Sequence, residues 1–365
     1  MTVPNIALSG NAPASHAPAS HRTLTGKFRN GLDRAIGSWL ALWTFAGFLS
    51  VVFTIVGSDA LAQSPAATTL RVEKADEPSG WNIYRGDKLF AGYILDSGGK
   101  PIVYPIYGPG GHPMTRNFPM KKDVGIERGD HDHHRSMWLT HGDVNGIDFW
   151  LDDEGCGKIV HRSGETKITD NGSAVVTTQN DWIGPDGKRV LADVRRFEFR
   201  VDGQRHIIDC DFLLKATDGN VNFGDTKEGT FGMRVAATMK VDAKKGGVIT
   251  NVDLKTDKDA WGKPSPWVDY SGPIDNDLVG ITIHNHPSSF GFPTRWHVRT
   301  YGLFAANPFG ISHFTGGKKR DGIVLVDGKQ MRLNYRVIVY QDRFDPETAK
   351  ADAEAYHNDP RPPLK

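Results

Sequence analysis

The sequence predicts a mainly β protein, a large antiparallel β-sandwich with one C-terminal helix. Three observations carry that reading: apolar and polar residues alternate with a period of two across residues 70–341, Asx-Gly pairs stand between the alternating runs, and one capped amphipathic segment follows the last of them. The 365 residues, 38% hydrophobic and 24% charged, fit the ordinary globular class rather than a disordered or multi-span membrane chain.

The N-terminal part is read separately. Residues 1–21 form a polar extension; Arg22, Lys27, Arg29 and Arg34 then precede an uncharged run, residues 35–58, that leads to Ala60-Leu61-Ala62 before Gln63. A basic flank, an apolar run and a small-x-small site predict an export leader cleaved after Ala62, so residues 1–62 are a signal peptide with an N-terminal extension and the mature protein is periplasmic or extracellular. The alternative is an uncleaved N-terminal membrane anchor, since the run is long enough to span a bilayer. After cleavage no stable membrane partner is expected. The chain carries 44 Lys plus Arg against 43 Asp plus Glu; residues 1–62 hold four basic and two acidic side chains, leaving 40 against 41 and no electrostatic case for binding nucleic acid. Two cysteines exclude a disulfide scaffold or a multi-thiolate metal site. Cys210 falls on an inward strand face with Ile208, Phe212 and Leu214, whereas Cys156 lies in a polar loop, so they are poor disulfide partners.

Among the strands, Phe197, Phe199 and Val201 alternate with Glu198, Arg200 and Asp202, and Leu333, Tyr335, Val337 and Val339 with Arg332, Asn334 and Arg336. Such runs bury one face and wet the other. Asn171-Gly172, Asp186-Gly187, Asp202-Gly203, Asp218-Gly219 and Asp327-Gly328 supply the positive φ that tight antiparallel connections need. The helix follows the last strand: Asp345 as N-cap, Pro346 at the first position, Glu347 in the first turn, then Ala349, Ala353 and Tyr356 on one face. No repeat or linker divides the mature chain, so residues 63–365 are expected to form one β-sandwich domain with its core at about 70–357. By size and strand content, the extended sandwich of sugar mutarotases and polysaccharide lyases is a compatible form.

Three segments break the strand pattern. Residues 108–150 fit no strand template, and long irregular segments in compact domains are usually functional. Here His131, His133, His134 and His141 stand beside Asp130, Asp132 and Asp143, with Arg135 adjacent. In an extended segment His131 and His133 would point one way and His134 the other. The group can act as a polar site in which His and Arg bind substrate oxygens and a His moves a proton, or hold a single divalent metal through His131, His133 or His141, or simply be a solvated loop. The second segment, residues 222–234, sets Asp225, Glu228 and Arg234 among glycines before an alternating strand, where a carboxylate can serve as acid or base or merely decorate a turn. In the third, residues 261–309, Trp267, Tyr270, Trp296 and Tyr301 alternate with His286, Arg295, His297 and Arg299. Flat rings suit the C–H faces of sugars while His and Arg bond hydroxyls or a carboxylate; the competing reading is Arg packed on Trp for stability.

The motifs Asp132-His133-His134-Arg135, His141-Gly142-Asp143-Val144-Asn145-Gly146 and Asp148-Phe149-Trp150, then Phe223-Gly224-Asp225-Thr226-Lys227-Glu228-Gly229, then Pro293-Thr294-Arg295-Trp296-His297-Val298-Arg299 and residues 302–310, resemble a large family of exported bacterial proteins carried under the label "methane oxygenase PmoA". The resemblance covers residues 70–356 and implies a β-rich architecture. It does not imply membrane methane oxidation, which needs several apolar spans of about 20 residues that this chain lacks beyond its leader.

Three functions compete. The first is an exported carbohydrate-active enzyme, a lyase, hydrolase or epimerase acting on a sugar, keto-sugar or uronate. His134 or His141 would exchange a proton, Glu228 would be the complementary acid or base, Arg135 and Arg299 would hold oxygens, and Trp296 would form a platform; His133, Asp143, Asp225, Arg234, Trp267, His286 and His297 complete the substrate contacts. The second is a non-catalytic carbohydrate-binding protein, and the third a His-ligated metal-dependent oxygenase. The partner expected in the first two is a small-molecule or oligosaccharide ligand, with no cofactor or a single divalent metal; the oligomeric state stays open. Convergence of the loop histidines, Glu228 and Arg299 in one cleft favours the enzyme.

Overall fold

A computed structural model describes residues 69–122, 124–127 and 129–365. The expected leader, residues 1–62, and the cleavage expected after Ala62 lie outside the described residues. Among the described residues two eight-stranded sheets, with every pairing antiparallel, form the body of the fold. Numbered in chain order, the first sheet runs β1 (Leu70–Asp76), β2 (Ser79–Arg85), β3 (Lys88–Ile94), β4 (Ile102–Ile106), β5 (Met137–His141), β11 (Gly229–Arg234), β16 (Leu303–Asn307) and β15 (Arg295–Val298). The second runs β12 (Val248–Asn251), β13 (Trp267–Ile274), β14 (Asp277–Asn285), β18 (Gln330–Gln341), β9 (Arg205–Lys215), β8 (Arg189–Asp202), β7 (Ala174–Ile183) and β6 (Lys158–Ile168). A small pair, β10 (Val221–Phe223) and β17 (Ile323–Leu325), stands apart.

The inner rows of the two sheets interlock as the period-two pattern requires. Phe90 meets Phe199 at 5.7 Å between ring centroids, Phe231 meets Phe212 at 5.4 Å and Tyr335 at 4.9 Å. Cys210 joins this core; it and Cys156 are both free thiols. The glycines of the five Asx-Gly pairs all have positive φ. α2 (Pro346–His357) begins where its sequence says, with the Asp345 carboxylate accepting from the Glu347 and Thr348 N–H groups, and buries Ala349, Ala353 and Tyr356.

The structure departs from the sequence reading in three places. Residues 108–150 contain β5, whose Met-Trp-Leu-Thr-His sequence is buried on both faces and so lacks alternation. A second helix, α1 (Ile311–Thr315), is too short to leave a periodic signal. The polar row of β9 is not wet: Asp209 and Asp211 are buried, paired with Arg336 and Arg361 beneath the C-terminal tail.

Candidate functional site

The site lies on the outer face of the first sheet, not at an end of the sandwich. Across β4, β5, β11, β16 and β15, register places Ile102, Trp138, Gly232, Ala305 and His297 in one row. The adjacent row, Leu139, Phe231, Ala306 and Trp296, faces the core. Small residues in the outer row leave room: a Cβ on Gly232 would come within 2.7 Å of the Trp138 ring. Over this floor opens a cleft of about 400 Å³, lined by His131, His133 and His134 from the loop before β5, Asp148, Trp150 and Leu151 from the loop after it, Lys227 and Glu228 just before β11, and His297, Arg299 and Tyr301 at the β15–β16 hairpin. That hairpin turns tightly, with Arg299 N–H donating to the Leu303 carbonyl and Gly302 at φ +103°.

The histidine loop is a turn and not an extended run. His131 has φ +49°, and the His134 N–H donates to its carbonyl at 2.9 Å. The fold thereby gathers all three histidines, with ring centroids 4.5–5.6 Å apart. Two buried arginines hold it from behind: Arg116 donates to the Asp130 carboxylate and to the carbonyls of Asp130 and His131, and Arg234 donates to Asp130 and to His134 Nδ1. Since arginine only donates, His134 Nδ1 is the acceptor and its proton sits on Nε2.

Glu228 is placed by β5. The Gly142 N–H donates to the Glu228 carbonyl at 2.7 Å, and a Cβ on Gly142 would strike the Glu228 side chain at 2.8 Å. Burial alone would raise the Glu228 carboxyl, but the hydrogen-bonded Lys227 ammonium together with His297 and His133 outweighs it and holds the group below the usual range. Asp148 is driven the other way. Burial lifts it above the usual carboxylate range against the Trp150 and Leu151 N–H groups that donate to Oδ1, and the Glu228 charge adds to the rise. Burial brings His133 and His297 down to about 4, so both are neutral near pH 7. His297 donates from Nδ1 to the Lys227 carbonyl at 2.8 Å, which leaves Nε2 as an acceptor.

Of the residues expected from sequence, the structure brings His131, His133, His134, Glu228, His297, Arg299 and Tyr301 together. The others stand elsewhere, each for a visible reason. Arg135 is drawn away by Asp152, 2.7 Å from its Nε, and by Ser97. His141, the last residue of β5, is fully buried against Phe309, with Nε2 donating to the Gly224 carbonyl. It therefore does not join His131 and His133 as a metal ligand, and among the described residues no three His, Cys, Asp or Glu side chains are placed to hold an ion. Asp143 accepts from Gly146 in a turn, and Asp225 accepts from the Ser312 and Arg320 N–H groups. Arg234 supports His134 from behind the cleft. Trp296 alternates inward into the core, where its N–H donates to the Ser265 carbonyl. Trp267 is covered by Ala349 and Ala353 of α2, and His286 is bound to the C-terminal tail through the Asp359 carbonyl. Sequence reasoning missed Asp148, Lys227 and the buried Lys100, whose ammonium donates to the Trp150 carbonyl and is pushed down to about 8 by burial. Asp148 sits in a quoted motif, yet nothing in spacing distinguishes it from a turn aspartate.

The model of a family of unknown function (DUF6807) matches residues 80–354. The chain belongs to that family. No curated protein matches it. Similar solved structures include the alpha-galactosidase from Lactobacillus brevis, with a TM-score of 0.40 and 8% identity over 79% of this chain and 42% of that one. Another is the GH36 alpha-galactosidase AgaB from Geobacillus stearothermophilus, at 0.34 and 9% over 74% and 41%. The chain spans about two fifths of the length of these alpha-galactosidases.

Proposed function

We propose that this family member is an exported carbohydrate-active enzyme that acts on a sugar by acid–base chemistry, with Glu228 as the ionised base and Asp148 as the proton donor. The observation that carries the reading is the convergence of two carboxyls of opposite disposition, one lowered and one raised, in a single cleft with three histidines and Arg299. His297 Nε2 and neutral His133 serve as partners for sugar hydroxyls, while Lys227 and Arg299 meet oxygens on which negative charge develops. His134, buried and bonded to Arg234, is a positioning residue.

The binding-protein reading loses Trp296, Trp267 and Tyr270 to burial and keeps Tyr301 in the cleft; it draws less support because it gives no role to the two carboxyls of opposite disposition that converge there. The oxygenase reading loses the ligand set that included His141. The test is turnover of a panel of mono- and oligosaccharides, including oxidised sugars, by the wild type, Glu228→Gln and Asp148→Asn. Each variant is expected to lose about 10²–10⁴-fold in kcat while keeping its thermal transition. Wild-type turnover by either variant would sink the assignment.

A further inference from the structure

Beside the histidine cleft lies a second cavity of about 230 Å³, lined by Lys258, Trp261, Val298, Arg299 and Thr300. Arg299 lines both. Its guanidinium carbon is 5.8 Å from the Trp261 ring centroid and 5.7 Å from that of Tyr301, so one cation stands between an aromatic ring of each cavity. The two cavities thus adjoin at this side chain.

The second cavity has a one-sided charge. Its charged lining is Lys258 and Arg299, and no carboxylate lines it. Asp257, next to Lys258, is turned inward to accept the Ile249 N–H at 3.1 Å. Among the described residues the ion pairs include neither Lys258 nor Arg299. Trp261 is half-exposed, and its buried indole N–H has no partner among the described residues. Two cations without ion-pair partners among the described residues, beside a half-exposed flat ring, match a sugar ring that carries an anionic group.

We propose that Lys258, Trp261 and Arg299 form a second subsite that binds a carboxylate-bearing sugar residue linked to the one in the histidine cleft, so that the substrate is an acidic oligosaccharide. The proposal rests on the carbohydrate reading above and adds the substrate class to it. Trp261 stacks on the ring, and Lys258 and Arg299 hold the carboxylate. Because both cations are exposed to solvent, their contribution weakens with ionic strength.

The experiment is calorimetric binding, in low and high salt, of a panel of hexuronate disaccharides, each paired with the neutral disaccharide of the same linkage and configuration, and of the single hexuronates. Binding is read in a Glu228→Gln background, so that the result does not depend on turnover. At least one acidic disaccharide should bind about tenfold more tightly than its neutral counterpart, and Lys258→Ala and Trp261→Ala should each remove about that factor while leaving the neutral disaccharide's affinity for the histidine cleft within about twofold. Equal affinity for acidic and neutral disaccharides, unchanged affinity in both variants, or no binding of any disaccharide overturns the subsite. Full turnover by Glu228→Gln would instead overturn the acid–base reading and leave a positive binding result standing.

Discussion

Each sheet turns an outer face away from the shared core, and each outer face buries charge, but the two complete that charge differently. On the second sheet, Asp209 is met by Arg336, Arg200 and Arg361, and Asp211 by Arg361, Arg196 and Asn334, with the C-terminal tail closing over them. This drives the Asp209 carboxyl to about 2: burial alone would raise it, and the arginines more than reverse that. On the first sheet, Glu228 has a lysine, Asp148 has two backbone N–H groups with the Lys100 ammonium at longer range, and exposed Arg299 forms no ion pair among the described residues. A buried charge that is fully partnered fixes structure; one left incomplete beside a cavity remains available to a ligand.

The contrast is sharpest if the two faces fail in different assays. The largest expected effect is on turnover: the loss of about 10²–10⁴-fold set out for Glu228→Gln, with thermal stability retained. Asp209→Ala should do the reverse, lowering stability by about 3 kcal/mol in denaturant titration while the kcat of the folded fraction holds, because it removes the buried carboxylate that Arg336, Arg200 and Arg361 share and leaves Arg336 only the more exposed Asp359. A turnover defect without a stability loss in that variant would break the comparison. The wild-type carboxylate contributes stability that is present above the ordinary aspartate range and is lost only as pH falls through about 2.

His134→Ala is an intermediate case. As a loop residue it would be expected to cost little stability, but it is buried, bonded to Arg234 and stacked on Trp138 at 5.3 Å, so a loss of about 2 kcal/mol should accompany the loss of activity. Thermal melts of the variant check this.

The pH profile of kcat/KM probes the cleft from another side. Activity needs Glu228 ionised and Asp148 protonated; it should fall as pH drops through the lowered pKa of the first and as pH rises through the raised pKa of the second, giving an acidic optimum. Lys227→Met removes the ammonium that lowers Glu228 and should move the acidic limb to higher pH. An unmoved acidic limb would mean that another group titrates there. The smallest effect on turnover is expected at Arg135→Ala: its largely buried pair with Asp152 holds structure outside the cleft, so stability should fall by about 2–3 kcal/mol while KM does not change. Combined with Arg299→Ala it should therefore be additive.

What was legible in the sequence follows the range of each interaction. The Asp345 cap, the Asx-Gly turns and the alternation through Phe197, Phe199 and Cys210 are local, and the fold class follows from them. The cleft was legible only as a set of candidates. Glu228, His134, His297 and Arg299 were found because His, Arg and carboxylate cluster in segments without strand pattern. Trp296 and His297 are neighbours of opposite fate, and only the register of β15 against β16 decides which faces the core. His141 and Arg135 were misplaced because a buried strand that does not alternate looks like a loop, and because the partner that captures Arg135 lies in a separate turn.

The strand order also sets a schedule. In the second sheet β6, β7, β8 and β9 are chain neighbours that pair as successive hairpins, whereas β11, between β5 and β16, pairs with strands distant in sequence on both sides. Local pairing carries the smaller loop-closure cost, so the hairpins should gain amide protection first and the cleft should assemble last, after the chain through Asn307 is in place. Pulsed hydrogen exchange during refolding would record it: protection in β5 and β11 appearing before that in β7 and β8 would contradict the order. A chain interrupted in synthesis before β15 would then carry every loop histidine and Glu228, yet lack the wall that faces them.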